Sequence, residues 1–158
     1  MSSSLEPTGF FFYGTLMSSA ILNRVIYGPS PPRYSYLRIQ PAILPEFTRR
    51  KVQGADYPGI VPAPGSSVKG TFVIGLREDH VRKLDFFEGD DYERRNVPVK
   101  VLNEEGGEEE GEEVQAEAYV WIAGVEGLRE EEWSYEEFVR EKLGRWVGEE
   151  GKEEYRGR

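Results

Sequence analysis

Between residues 68 and 76 the chain alternates. Val68, Gly70, Phe72, Ile74 and Leu76 are interleaved with Lys69, Thr71, Val73 and Gly75. A period of two sends successive side chains to opposite faces, so this segment predicts a strand. Val97, Val99 and Val101 repeat the pattern, as do Ala116, Ala118, Val120 and Ile122. These two runs flank a Glu/Gly stretch and read as a hairpin with a long loop. Gly9 to Tyr13 is an unbroken apolar run that predicts a buried strand ending abruptly at Gly14-Thr15. After the rigid PSPP connector (29–32), an extended segment is expected from Tyr34 through Ile39. Another is expected over 46–53, where Arg and Lys are frequent, so it is expected to be largely exposed.

In three places the period lengthens to that of a helix. Ile21, Leu22, Val25 and Ile26 share one face over 18–27, with Ser18 or Ser19 as N-cap and Gly28-Pro29 as the stop. Val81, Leu84 and Phe87 do the same in a short helix ended by Gly89. Ser134 and Glu137 have the spacing of a capping box, and Tyr135, Phe138, Val139, Leu143 and Trp146 follow as an amphipathic closing helix. Tyr57-Pro58-Gly59-Ile60 is either a turn into a strand or a tyrosine offered at a pocket rim. About six strands and three helices, with strands dominating the middle and no internal repeat, make an α+β chain with one domain. Its boundaries are expected to be a disordered leader at 1–8, a folded domain over 9–147 with a mobile acidic loop at 103–114, and a charged tail at 148–158.

Composition narrows the chemistry. The chain has 158 residues, no cysteine and one histidine. Disulfides, thiolate metal sites, a cysteine nucleophile and any metal centre built on several imidazoles are therefore excluded. The net charge of −9 belongs mostly to residues 104–113, seven Glu and three Gly; removing them leaves 22 acidic against 20 basic residues, a charge of −2. No basic stripe is left to meet phosphates, and no apolar stretch approaches the length of a membrane span. A cytoplasmic protein, with neither nucleic acid nor membrane as partner, is the expectation. The composition leaves the oligomeric state open. His80, between Asp79 and Val81, is expected to face solvent. Trp121, Trp133 and Trp146 are expected in the core.

Two segments break the simple core pattern. At Tyr13-Gly14-Thr15-Leu16 an apolar strand turns into a helix start, where glycine allows close backbone approach and leading amides can cradle an anion. The same residues would also serve as an ordinary strand-to-helix turn. At Leu84-Asp85-Phe86-Phe87-Glu88-Gly89 a carboxylate follows an aromatic pair at a helix C-terminus, where the dipole does not favour an anion. Against aromatic walls such a carboxylate becomes a general acid/base; it could equally be a surface residue at a helix end. Asp85, Asp90 and Asp91 lack the glycine-spaced pattern of a calcium loop, so no metal is expected.

Together FFFYGTLM (10–17), YPGIVP (57–62), VKGTFVIGL (68–76), LDFFEGDDYERRNVPV (84–99) and AEAYVWI (116–122) resemble the gamma-glutamyl cyclotransferase-like superfamily. The branch they look most like is named for plant avirulence-induced genes and includes gamma-glutamylamine cyclotransferases. The segments occur in the family's order over roughly residues 9–146. The resemblance implies a single-domain mixed β-barrel flanked by short helices. It implies that Glu88 is the acid/base, and that Tyr13, Gly14, Thr15 and Leu16 bind the amino-acid end of the substrate through backbone groups. It also implies that Tyr92 and Arg94 shape the pocket edge and that Tyr57 lies near it.

The activity implied is a cofactor-independent cyclisation of a gamma-glutamyl amide to 5-oxoproline and an amine. The inserted Glu/Gly loop departs from the family pattern, and the leaving-group side of the pocket has no signature in the sequence. Two other readings stand beside this one. The first is a different small-molecule cyclase or lyase built on Glu88. The second is a non-catalytic metabolite-binding or interaction protein that keeps the pocket.

Overall fold

A computed structural model describes residues 7–29, 36–102 and 111–147. In chain order these residues form β1 (Gly9–Phe12), a 3₁₀ turn (Thr15–Met17), α1 (Ser19–Tyr27), β2 (Arg38–Val52), β3 (Pro58–Ile74) and α2 (Glu78–Glu88). There follow β4 (Tyr92–Val101), β5 (Glu112–Trp121), a second 3₁₀ turn (Val125–Gly127), β6 (Leu128–Glu132), α3 (Tyr135–Glu141) and α4 (Leu143–Val147). Five strands close a mixed barrel in the order β3-β1-β5-β4-β2, with β2 pairing back onto β3, and β6 adds to the outside edge of β2. Only β1 and β5 run parallel, aligned at Gly9↔Ala116 and Phe10↔Glu117.

The alternation in the sequence divides the core into two layers. Phe11, Leu44, Ile60, Val68, Phe72, Val99, Ala116, Ala118 and Val120 fill one. Phe10, Phe12 and Tyr119 share the other with Ile21, Leu22, Ile26, Leu84, Trp133, Phe138 and Trp146, where the helices pack on the barrel wall. All three tryptophans are buried, as their expected core role requires. Ser18 caps α1, its Oγ accepting the Ile21 N–H, and Gly28 ends the helix at φ 84°. Among the described residues no helix is long and apolar enough to cross a membrane.

Several expectations are corrected. Of the extended segments expected at 34–39 and 46–53, residues 38–39 and 46–52 are parts of one strand, β2, which continues through Pro41 and Pro45; Tyr34 lies outside the described residues. A bulge follows Pro45. Glu46 adopts φ 70°, residues 63–66 of β3 lie opposite it, and its carboxylate accepts the Gly65 N–H at 3.1 Å. Most of 46–53 is half-buried and not exposed. The sixth strand is β6, whose sequence LREEE carries no alternation. The closing helix is two short helices broken at Lys142. Of the acidic run, Glu112 and Glu113 belong to β5, opposite Val101 and Lys100. The rest of that loop (103–110) lies outside the described residues, as do the charged tail and most of the leader; Thr8 donates its N–H to Gln115.

His80 is the clearest reversal. It is 3% exposed, packs edge-on against Tyr27 at 5.2 Å, and accepts the Arg77 N–H on Nδ1 at 3.1 Å. The α1–α2 contact buries it, and that burial lowers its pKa from the ordinary 6.5. Above that value the imidazole is neutral both folded and unfolded, and its contribution is complete. As pH falls through it, the unfolded chain takes up the proton first and stability is lost. The urea midpoint is therefore expected to drop between about pH 7 and about pH 5. A His80→Asn variant, which keeps an acceptor but does not titrate, should lose part of that dependence.

Candidate active site

β1 parts from β3 after the Phe12↔Thr71 pair, and the chain turns at Gly14 into the 3₁₀ turn. Glycine is required here by space: a Cβ on Gly14 would lie 2.9 Å from the Pro58 ring. Pro58 is itself held, its carbonyl accepting the Tyr92 hydroxyl at 2.7 Å. The Tyr13 hydroxyl donates to the Tyr119 carbonyl at 2.6 Å, tying the end of β1 to β5. The leading amides of the turn, those of Thr15 and Leu16, have no acceptor within it.

Opposite this loop stands the end of α2. Glu88 is its last residue and is half-buried; Gly89, at φ 81°, lets the chain reverse into β4. The two segments enclose one recess lined by Phe11, Phe12, Tyr13, Gly14, Thr15, Leu16, Tyr57, Pro58, Phe87, Glu88, Tyr92 and Tyr119. Tyr57, Phe87 and Glu88 are its half-buried members and so form the mouth, while the other lining residues are buried. The recess has a volume of about 30 Å³. That is room for roughly two waters, well below the roughly 300–1,000 Å³ of typical small-molecule sites, so a substrate would extend from it through the mouth.

Burial, then the neighbouring Tyr92 and the Glu88 carboxylate, push the Tyr13 phenol well above its ordinary pKa. Burial and the hydrogen bond to Asp85 do the same to Tyr119, with Glu88 adding to the effect. Both phenols are thus neutral donors, and both feel the charge of Glu88. Among the described residues no three Asp, Glu or His side chains converge as a metal site.

Of the residues singled out from the sequence, Tyr13, Gly14, Thr15, Leu16, Tyr57, Glu88 and Tyr92 meet in this recess. Arg94 does not line it. Its guanidinium grips both Asp85 oxygens, at 3.0 and 3.1 Å, and also bonds Glu117. Asp85 in turn accepts the Tyr119 hydroxyl at 2.6 Å. Asp85 is three residues before Glu88 on α2, so this cluster fastens the helix that carries Glu88 to β4 and β5. Against desolvation, which would lower it, the bonds to Asp85 and Glu117 hold the Arg94 pKa above the ordinary guanidinium range.

Asp85, Phe87, Pro58 and Tyr119 were not singled out as site residues. Tyr119 could have been found as the hydroxyl-bearing side chain on the face of the 116–122 run opposite Ala118 and Val120.

Comparison with known proteins bears on the family and the fold. The family model described as Gamma-glutamyl cyclotransferase, AIG2-like matches residues 10–140. Among curated proteins, AIG2-like protein D of Arabidopsis thaliana is 31% identical over 138 residues, covering 87% of this chain and 83% of its own. AIG2-like protein A of the same plant is 32% identical over 139 residues, covering 88% and 76%. The solution structure of an Arabidopsis thaliana protein superposes with a TM-score of 0.62 at 26% identity, over 98% of this chain and 84% of that one. A structure named Gamma-glutamyl cyclotransferase shares the fold at TM-score 0.51 and 20% identity, over 74% and 68%.

Proposed function

The chain belongs to the gamma-glutamyl cyclotransferase, AIG2-like family, and from that membership we propose that it cyclises a gamma-glutamyl amide to 5-oxoproline and a free amine. One observation carries the reading: a single recess brings the glycine loop at Tyr13–Leu16 together with Glu88, though the two are far apart in the chain.

Such a substrate contains its own nucleophile. The α-amino nitrogen attacks the γ-carbonyl carbon, the new C–N bond closes a five-membered lactam, and the original amide C–N bond breaks. Holding the two ends in attack geometry is worth roughly 7–11 kcal/mol by effective molarity. What remains is a proton transfer. The Glu88 carboxylate removes a proton from the attacking nitrogen and returns it to the leaving nitrogen, so no water, metal or cofactor enters the balance. Backbone amides of the Gly14–Leu16 turn hold the anionic groups that the folded substrate presents, its α-carboxylate or the oxygen that becomes negative. Tyr57 and Phe87, at the mouth, lie where the leaving amine must sit. The reading suits a cytoplasmic enzyme acting on soluble amino-acid derivatives.

The test is mass-spectrometric detection of 5-oxoproline from a panel of gamma-glutamyl amides and gamma-glutamyl amino acids. Release from at least one supports the assignment. Absence of release from all of them would shift it to another small-molecule chemistry or to binding alone.

Arg94 enters this reading as a positioning residue. Arg94→Met removes no recess-lining residue but leaves Asp85 held by the Tyr119 hydroxyl without the guanidinium, and so loosens the end of α2. The expected result is a fall in kcat of roughly ten- to a hundredfold with KM little changed. Thermal stability should fall by no more than about 1 kcal/mol, because the pair is partly exposed to solvent. Steady-state kinetics beside a melting curve checks both.

A further inference from the structure

The interior end of the barrel contains a charge that the proposed mechanism does not use. Arg49, on β2, has a side chain only 10% exposed, and its guanidinium lies 5.5 Å over the Trp133 ring. Its Nη1 donates to two carbonyls at once, Tyr13 at 2.9 Å and Lys69 at 3.1 Å. Tyr13 directly follows β1 and Lys69 lies in β3, both just beyond the last ladder pair of the two strands, where they separate. Glu132, 71% exposed, is at 3.6 Å from Nη2. The buried Nε has no partner among the described residues. A guanidinium held in apolar surroundings with one donor unmet is costly, and closing the barrel end would need no charge at all.

The consequence lies one bond along the chain. The Tyr13–Gly14 peptide is trans and planar, so its carbonyl and its N–H point in opposite directions. We infer that Arg49 is a positioning residue for the Gly14 amide: by gripping the Tyr13 carbonyl from inside the barrel it turns the Gly14 N–H outward, toward the recess, as a donor for an anionic substrate group. A cation on the carbonyl also polarises the peptide and strengthens that donor. The inference deepens the proposed function and rests on it for the identity of the anion. The peptide's orientation does not.

Tyr13–Gly14 and Tyr27–Gly28 are the two Tyr–Gly steps in the sequence. Protein labelled with carbonyl-¹³C tyrosine and ¹⁵N glycine therefore gives two selected amide resonances, with Gly28, at the end of α1, as the internal reference. In Arg49→Met, Gly28 should stay in place and Gly14 should move, and KM for a gamma-glutamyl amide should rise about tenfold, more than kcat falls. Arg49→Lys, which keeps the charge and can reach one carbonyl, should recover part of both. A Gly14 resonance at the wild-type position in Arg49→Met overturns the inference. If Arg49→Met also loses the Gly28 reference through misfolding, Arg49→Lys decides alone: a displaced Gly14 supports the inference and an unmoved one overturns it. If wild type turns over no amide, the cyclotransferase reading fails, while the resonance, read without substrate, still decides on Arg49.

Discussion

Replacing Glu88 by Gln is expected to slow 5-oxoproline release about a thousandfold, in the middle of the range for loss of a general acid/base. KM should change little and the melting curve should stay near that of wild type. Glutamine has the size of glutamate and keeps an acceptor oxygen, so the recess retains its shape and the substrate its contacts. What is lost is the ability to take a proton from the attacking nitrogen and return it to the leaving one. Glu88→Asp withdraws the carboxylate by one methylene and is expected to fall between the two. Parallel kcat and KM measurements on the three proteins check this. A Glu88→Gln variant that keeps more than a tenth of wild-type kcat would remove Glu88 from the chemistry.

Gly70→Ala is expected to be the most destabilising single-methyl change in the barrel. A Cβ there would lie 2.2 Å from the Phe12 carbonyl oxygen and 2.8 Å from the Phe11 ring. Neither can yield: the carbonyl is backbone in β1, and Phe11 is fully buried between strands. Relief requires β1 to move off β3, which opens the wall that carries Tyr13 and Gly14 to the recess. Overpacking of this kind costs about 3 kcal/mol, a large part of the stability of a small domain. Gly144 is the control. It lies exposed in α4 with nothing near its would-be Cβ, so the same substitution should stabilise by up to about 1 kcal/mol. Urea titrations of the two variants should move in opposite directions.

What could be read in advance follows from which forces dominate locally. Strands with one buried face announce themselves: Val97 and Val99 on β4, and Ala116 and Ala118 on β5, are buried as their period of two requires. The two segments that meet in the recess stand out as local motifs, a glycine turn after an apolar strand and a carboxylate after two aromatics, but each also read as an ordinary turn or surface residue, and only the resemblance joined them.

Other features depend on partners distant in sequence. β2 reads in sequence as two separate segments; in the fold Pro41 and Pro45 pair with Thr71 and Ser67 of β3, and a bulge at Glu46, met by Gly65, joins the two halves. β6 pairs at the outer edge of β2 and exposes all but Leu128, so it has no apolar face to read. His80 looked solvated in the polar helix start after Glu78 and Asp79, but Tyr27 of α1 covers it. Arg49 and Arg94 look alike in sequence, charged residues on strands. One is buried against β1 and β3, and the other anchors α2, because of what folds onto them.

The most direct test of the proposed chemistry is to run the reaction in H₂¹⁸O and weigh the acid product. Intramolecular attack consumes no water, so the predicted product is 5-oxoproline of unlabelled mass together with the free amine. Glutamate bearing one solvent-derived ¹⁸O would mean that water, and not the substrate's own amino group, attacks the γ-carbonyl, and would contradict the account.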